Sequence, residues 1–191
     1  MIYLCENIDN ILLPDVFDMP EERVLKMKSY KNEKDKKMCC TAFELLKYAL
    51  KREYGIHINR NTKMGYTIRG KPHLLDYPCI HFNISHCYPI VACFVSDEEV
   101  GADVQTIIGS QNEIKGLKNR YNPQWHFTRL WTLKESYVKM LGKGIDDNLN
   151  RYDFEKFNSH RFSALGYDFF SKRMGDYHLS VCKKDLYPHD I

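Results

Sequence analysis

Apolar residues recur at helical spacing through 33–54, where Met38, Ala42, Leu45, Leu46 and Ala49 share one face. Gly55 follows where a helix commonly ends in the left-handed conformation, so the spacing predicts a helix from Glu33 to Tyr54. The period then changes. Ile80, Phe82 and Ile84 alternate with His81, Asn83 and Ser85, the pattern of a half-buried strand. Ile90 to Val95 is a continuous apolar run, and the polar turn Ser96-Asp97-Glu98-Glu99 separates it from Val100 to Gln105; these two runs predict a hairpin. A second long helix is expected to start at Asn122-Pro123, an N-cap residue followed by proline at the first helical position, and to end at Gly142. Its apolar face would be Leu130, Leu133, Tyr137, Met140 and Leu141. Tyr177, Leu179 and Val181 alternate again and predict a late strand. The expected class is α+β, with antiparallel pairing in the centre. A boundary near Glu98 divides the chain into two comparable halves, 1–98 and 99–191.

Composition narrows the function classes only a little. The 191 residues are 43% hydrophobic, enough for one ordinary domain or two small halves. With 28% charged and 13% aromatic residues the chain does not read as disordered. A net charge of +3 is small for a bulk nucleic-acid binder but suits an acidic partner or a phosphorylated small molecule. Seven cysteines occur without a C-x-x-C pair, several inside apolar runs, and read as small buried hydrophobes in a reducing compartment. Met1 to Asn10 shows no basic segment followed by a long apolar run, and the longest apolar stretch, Ile90 to Val95, is too short to span a bilayer. The expectation is a soluble cytoplasmic protein with no membrane partner.

Four segments could carry chemistry. On a strand, Gly101, Asp103 and Gln105 project to one face, and Gly101 would leave room there for a ligand. Asp103, flanked by small apolar residues, is desolvated and needs a partner, or else sits on the open face of an edge strand. On the second helix Trp131, Glu135 and Lys139 form a row at i, i+4 and i+8, which could equally be a surface ion pair. Lys143 and Gly144 follow as a flexible cationic end. Ser85 and His86 close the strand His81 to Cys87 and could donate to phosphate oxygens or be structural. Gly70-Lys71-Pro72-His73 sets a lysine on a backbone restrained by Pro72. A basic stretch holding Arg23, Lys26, Lys28, Lys31, Lys34, Lys36 and Lys37 precedes the first helix and enters it.

In order, Gly70-Lys71-Pro72, Phe82-Asn83-Ile84-Ser85-His86-Cys87, Val100 to Gln105 and Trp131 to Gly144 resemble the motifs of the Sfp-type 4′-phosphopantetheinyl transferases. The resemblance covers roughly residues 66–150. It implies two similar α/β halves with pseudo-twofold symmetry, with coenzyme A bound between them and a monomeric state. It further implies that residues 1–98 contact coenzyme A while 99–191 carry the metal strand and catalytic helix. The implied reaction moves the 4′-phosphopantetheine arm of coenzyme A to a serine of an apo acyl, peptidyl or polyketide carrier protein, releasing 3′,5′-ADP. By the same analogy Asp103 and Glu135 bind Mg2+, with Gln105 standing where the family has a third acid. Glu135 would act as base and Lys139 would steady developing charge. Lys37, Lys71, Pro72, Ser85 and His86 would hold coenzyme A. Two rivals follow from the residues. Without the third acid, the chain could be a non-catalytic relative that binds coenzyme A or a carrier protein. A nucleic-acid module built on Arg23 to Lys37 is the other, and it lacks interleaved aromatics.

Overall fold

The computed structural model describes residues 1–12, 16–107, 123–142 and 151–184. Asn122, Lys143 and Gly144 lie outside the described residues. The chain divides into two compact units, Met1–Glu98 and Glu99–Ile191. Each lays a long helix on an antiparallel sheet, so the molecule is a mixed α/β protein with few helices.

In the first unit, strand β1 (Ile2–Cys5) precedes helices α1 (Glu21–Ser29) and α2 (Glu33–Tyr54). Strands β2 (Met64–Tyr66), β3 (Pro72–Leu74), β4 (His81–Cys87) and β5 (Ile90–Ser96) follow. Helix α2 has the limits its spacing predicts. Asn32 caps it by accepting from the Lys34 N–H at 2.9 Å, satisfying a donor the first turn leaves open. Gly55 ends it at φ 67°, its N–H returning to the Leu50 and Lys51 carbonyls. Between the caps, Phe43, Leu46, Ala49 and Leu50 are fully buried against Phe82, Cys93 and Val95 of the sheet. Burying each large side chain contributes about 2–3 kcal/mol, which is what holds α2 in place. Sequence periodicity did not single out α1, whose nine residues bury only Arg23.

The predicted hairpin between Ile90–Val95 and Val100–Gln105 is not formed. Strand β5 pairs with β1 on one edge and β4 on the other, in the order β1-β5-β4, so neither edge is free. The hairpin runs instead through Tyr88-Pro89, joining β4 to β5 from Cys87↔Ile90 to His81↔Ser96. The four residues of β1 carried too short a pattern to read, yet they decide this pairing.

The second unit holds β6 (Val100–Thr106), α3 (Pro123–Leu141), β7 (Arg161–Ala164), β8 (Tyr167–Met174) and β9 (Tyr177–Lys184). Its sheet has the order β6-β9-β8-β7, with β6 at one edge. Strand β6 pairs antiparallel with the late strand β9 from Val100↔Lys183 to Thr106↔Tyr177. The predicted apolar face of α3 is the buried one: Leu130, Leu133, Tyr137 and Met140 pack on Phe154, Phe169 and Cys182, with Leu141 alongside. No helix among the described residues is long and apolar enough to cross a membrane. None of the seven cysteines is in a disulfide, and Cys39, Cys40, Cys93 and Cys182 are buried.

Gly55 gives the fold its first test. A side chain there meets no neighbour but must adopt φ 67°, a conformation that costs an L-residue about 1–2 kcal/mol. Gly55→Ala is expected to lower the urea-unfolding free energy by about 1 kcal/mol. An unchanged midpoint would contradict the left-handed end of α2.

Candidate functional site

Strand β6 turns Gly101, Asp103 and Gln105 toward α3, but Gly101 leaves no room for a ligand. A Cβ at that position would stand 2.0 Å from the Ser136 carbonyl oxygen and 2.3 Å from the Met140 nitrogen. The helix backbone fills the space that the sequence reading assigned to a ligand. Glycine is required because backbone meets backbone, with no side chain between to set a longer distance.

That close approach lowers the polar row of α3 onto the strand. Asp103 is completely buried and Glu135 is 4% exposed. Lys139 Nζ donates to Asp103 Oδ1 at 2.5 Å, and Gln105 Nε2 donates to Asp103 Oδ2 at 3.2 Å. Lys139 therefore engages the strand acid rather than serving as a solvated partner along its own helix. Gln105 faces Asp103 with its amide N–H, as a carboxylate that can only accept requires. Glu135 Oε1 is buried with no hydrogen-bond partner among the described residues. Burial pushes the Glu135 carboxyl above its usual range; Lys139 pulls it back and the charge of Asp103 pushes it further up.

An orphaned carboxylate oxygen beside a second acid is a site that a cation would complete. The donors are oxygens, and magnesium commonly takes one or two protein carboxylates with the remaining positions filled by water and phosphate. Asp103 and Glu135 fit that description, and Gln105 could add a carbonyl oxygen if its amide turned. Among the described residues no three His, Cys, Asp or Glu side chains gather into a metal-binding group.

The other expected site residues lie in the first unit, on three separate elements. Lys37 leaves α2 and donates to the Asp9 carbonyl at 3.4 Å. Lys71 and Pro72 follow the tight turn in which Gly70 donates to the Thr67 carbonyl at 2.8 Å, at the start of β3. Ser85 and His86 are neighbours within β4, which runs on to Cys87, so they project to opposite faces. Ser85 is buried and His86 exposed. Asn83, which shares the Ser85 face, is buried too, so β4 is not the half-exposed strand that its alternation suggested.

Sequence reading passed over one feature of this unit. Arg23, only 5% exposed, reaches the Cys39 carbonyl at 3.5 Å, while its Nε has no partner. No carboxylate among the described residues forms an ion pair with it. Lys26 stands near enough that burial and then the Arg23 charge push the lysine pKa down. A buried guanidinium with a lysine beside it is a place where negative charge would be stabilising. Its signal in the sequence was only the basic composition of the stretch; burial came from the docking of α1 on α2.

Residues 92–183, just under half of the chain, match the sequence model of the 4′-phosphopantetheinyl transferase superfamily. Curated relatives carry the match across both units. The 4′-phosphopantetheinyl transferase gsp of Aneurinibacillus migulanus is 37% identical over 128 residues, covering 59% of this chain and 53% of the relative. The 4′-phosphopantetheinyl transferase Sfp of Bacillus subtilis is 26% identical over 148 residues, covering 71% of this chain and 65% of the relative. An L-aminoadipate-semialdehyde dehydrogenase-phosphopantetheinyl transferase of Xenopus laevis is 33% identical over 116 residues, covering 47% of this chain and 38% of the relative. Residues 92–183 are thus similar to the 4′-phosphopantetheinyl transferase superfamily, and the chain as a whole is similar to several transferases of that name, Sfp among them. The chain spans about half the length of the first curated relatives it matches.

Two predictions follow from this geometry. Gly101→Ala sets a methyl against helix backbone, and a clash of that kind in a packed core costs about 3 kcal/mol. Urea unfolding should show a loss of that order, and a loss below about 1 kcal/mol would mean that α3 does not rest on β6 at this point. The second prediction concerns His178, which is 1% exposed and whose pKa burial pushes down to about 4, with Arg129, His160 and Arg173 adding to the effect. The unfolded imidazole takes a proton near pH 6.5 and the folded one does not, so this stabilisation is present above pH 6.5 and fades as pH falls toward 4. The stability gap between wild type and His178→Gln should therefore narrow by about 2 kcal/mol between pH 7 and pH 5. A gap independent of pH would contradict the buried neutral imidazole.

Proposed function

We propose that this protein transfers the 4′-phosphopantetheine arm of coenzyme A to a serine of an apo acyl, peptidyl or polyketide carrier protein. Mg2+ serves as the metal and 3′,5′-ADP is the second product. The observation that carries the reading is Glu135, a buried carboxylate with one oxygen unpartnered, set beside Asp103 on the α3 segment that bears the family motif. In the reaction the serine oxygen bonds to the β-phosphorus, the bond from that phosphorus to 3′,5′-ADP breaks, and the serine proton passes to a base. Transfers of this kind need positioning and charge neutralisation more than covalent help from the enzyme.

Asp103 and Glu135 hold the ion in this reading, and Mg2+, when bound, neutralises charge on the pyrophosphate oxygens. The side chains do the rest. Burial raises the proton affinity of the Glu135 carboxyl above that of an ordinary glutamate, the direction a base requires. Lys139, already against Asp103, supplies a cation for the developing charge. Lys37, Lys71, Ser85 and His86 offer donors to coenzyme A, with Pro72 restraining Lys71, and the Arg23–Lys26 cluster meets one of its phosphate groups. Residues 1–98 thus contact coenzyme A, and 99–191 carry metal and catalysis. We include in this reading a cytoplasmic monomer whose two halves share one helix-on-sheet plan.

One observation favours the rival, a relative that binds without transferring. Gln105 stands where the family has an acid, and its amide donates to Asp103. Intact mass spectrometry of a panel of apo carrier proteins, each incubated with the protein, coenzyme A and Mg2+, separates the two. Transfer adds one phosphopantetheinyl group to a carrier. Asp103→Ala and Glu135→Ala, with folding retained, should slow it by a factor on the order of a hundred or more. No gain on any carrier with metal present, together with activity appearing in Gln105→Glu, would favour the binding-only relative.

A further inference from the structure

The sheet face beneath α3 is not uniformly apolar. Thr132, Ser171, His178 and Ser180 are each no more than 2% exposed, where carbon side chains would pack without losing hydration. Their hydroxyls make one chain. Ser171 Oγ lies 3.0 Å from Ser180 Oγ, Ser180 Oγ lies 2.8 Å from Thr132 Oγ1, and Thr132 Oγ1 lies 3.0 Å from the Arg129 carbonyl oxygen. A carbonyl only accepts and each hydroxyl has one proton, so the direction follows. Thr132 donates to Arg129, Ser180 to Thr132, and Ser171 to Ser180. His178 Nδ1, 3.4 Å from Thr132 Oγ1, then faces a lone pair.

The two ends of the central contact are placed where they matter. Thr132 stands three residues before Glu135 on the same helix. Ser180 is the residue of β9 directly opposite Asp103, and Ser171 of β8 is directly opposite Ser180. One hydrogen bond therefore ties the turn that carries Glu135 to the rung that carries Asp103.

We propose that Thr132 and Ser180 are positioning residues for the carboxylate pair: their hydrogen bond registers α3 along β9, so that Glu135 and Asp103 can share one cation. The inference rests on the two-carboxylate reading above. Packing among Leu133, Met140 and Phe169 is strong but tolerates small slides, whereas a hydrogen bond weakens steeply once its geometry is lost. A single polar contact in an apolar interface specifies register in the same way in paired helices. Gly101 sets how close α3 comes to β6; the hydroxyl pair sets where along the sheet it stops.

Calorimetric titration of the full chain with Mg2+ tests this. Thr132→Val keeps the side-chain shape and removes the hydroxyl, and Ser180→Ala removes its partner. Each should weaken Mg2+ binding by about tenfold to a hundredfold, the usual effect of losing a group that orients a ligand. The turnover number for phosphopantetheinyl transfer should fall by a similar factor, with the KM for coenzyme A little changed. Thr132→Ser, which keeps the donor, should bind Mg2+ within about twofold of wild type, as should Ser171→Ala, which leaves every contact to α3 in place. Unchanged Mg2+ affinity in Thr132→Val and Ser180→Ala overturns the proposal, even if both unfold more easily. A Ser171→Ala loss as large as that of Thr132→Val overturns it too, because it would mean general softening of the core. Failure of the wild-type protein to bind Mg2+ removes the two-carboxylate reading itself, and this inference with it.

Discussion

At Gly101 the backbone of α3 rests on the backbone of β6 with nothing between them, and the chemistry of the second unit depends on that contact. A helix held off by ordinary side chains would leave its polar row in solvent, where Glu135 and Lys139 would form a weak surface pair. Pressed onto the strand, the same row becomes part of the interior. Glu135 loses its water, Lys139 finds Asp103 instead of solvent, and one carboxylate oxygen is left unsatisfied. The elevated proton affinity of Glu135 and its burial close to Asp103 have this one steric origin.

The two units carry complementary chemistry. The second gathers buried oxygens, Asp103 and Glu135, with Lys139 supplying only part of the compensating charge. The first contains a guanidinium, Arg23, buried with no acid paired to it among the described residues, and a lysine whose pKa burial lowers. Each is costly in a free protein, because a buried charge without full compensation is destabilising.

Individual residues differed in how far the sequence revealed them. The limits of α2 were readable because caps and periodicity are local: Asn32 and Gly55 act within a few residues of themselves. The apolar face of α3 was readable for the same reason. Strand pairing was not, because a strand's partner is fixed by which edges are free; β5 gave its edges to β1 and β4, and β6 went to β9. Strands β7 and β8 carried no clean alternation. Ser85 and His86 were marked as candidates, but not that they project to opposite faces.

By itself, the sequence determined which residues were candidates for chemistry: the acids at 103 and 135, the lysine at 139, the glutamine at 105 and an order of motifs that resembles one family. Residue types and their spacing along one element are local properties, and they survive in a string of letters. Only the tertiary structure decided what those residues do to one another. It filled the space at Gly101 with helix rather than ligand, moved Lys139 from its own helix to Asp103, turned the Gln105 amide inward and buried Arg23 with its Nε unpartnered among the described residues. Each of these outcomes depends on the distance and register between elements far apart in the chain, and such distances follow from packing rather than from any local pattern.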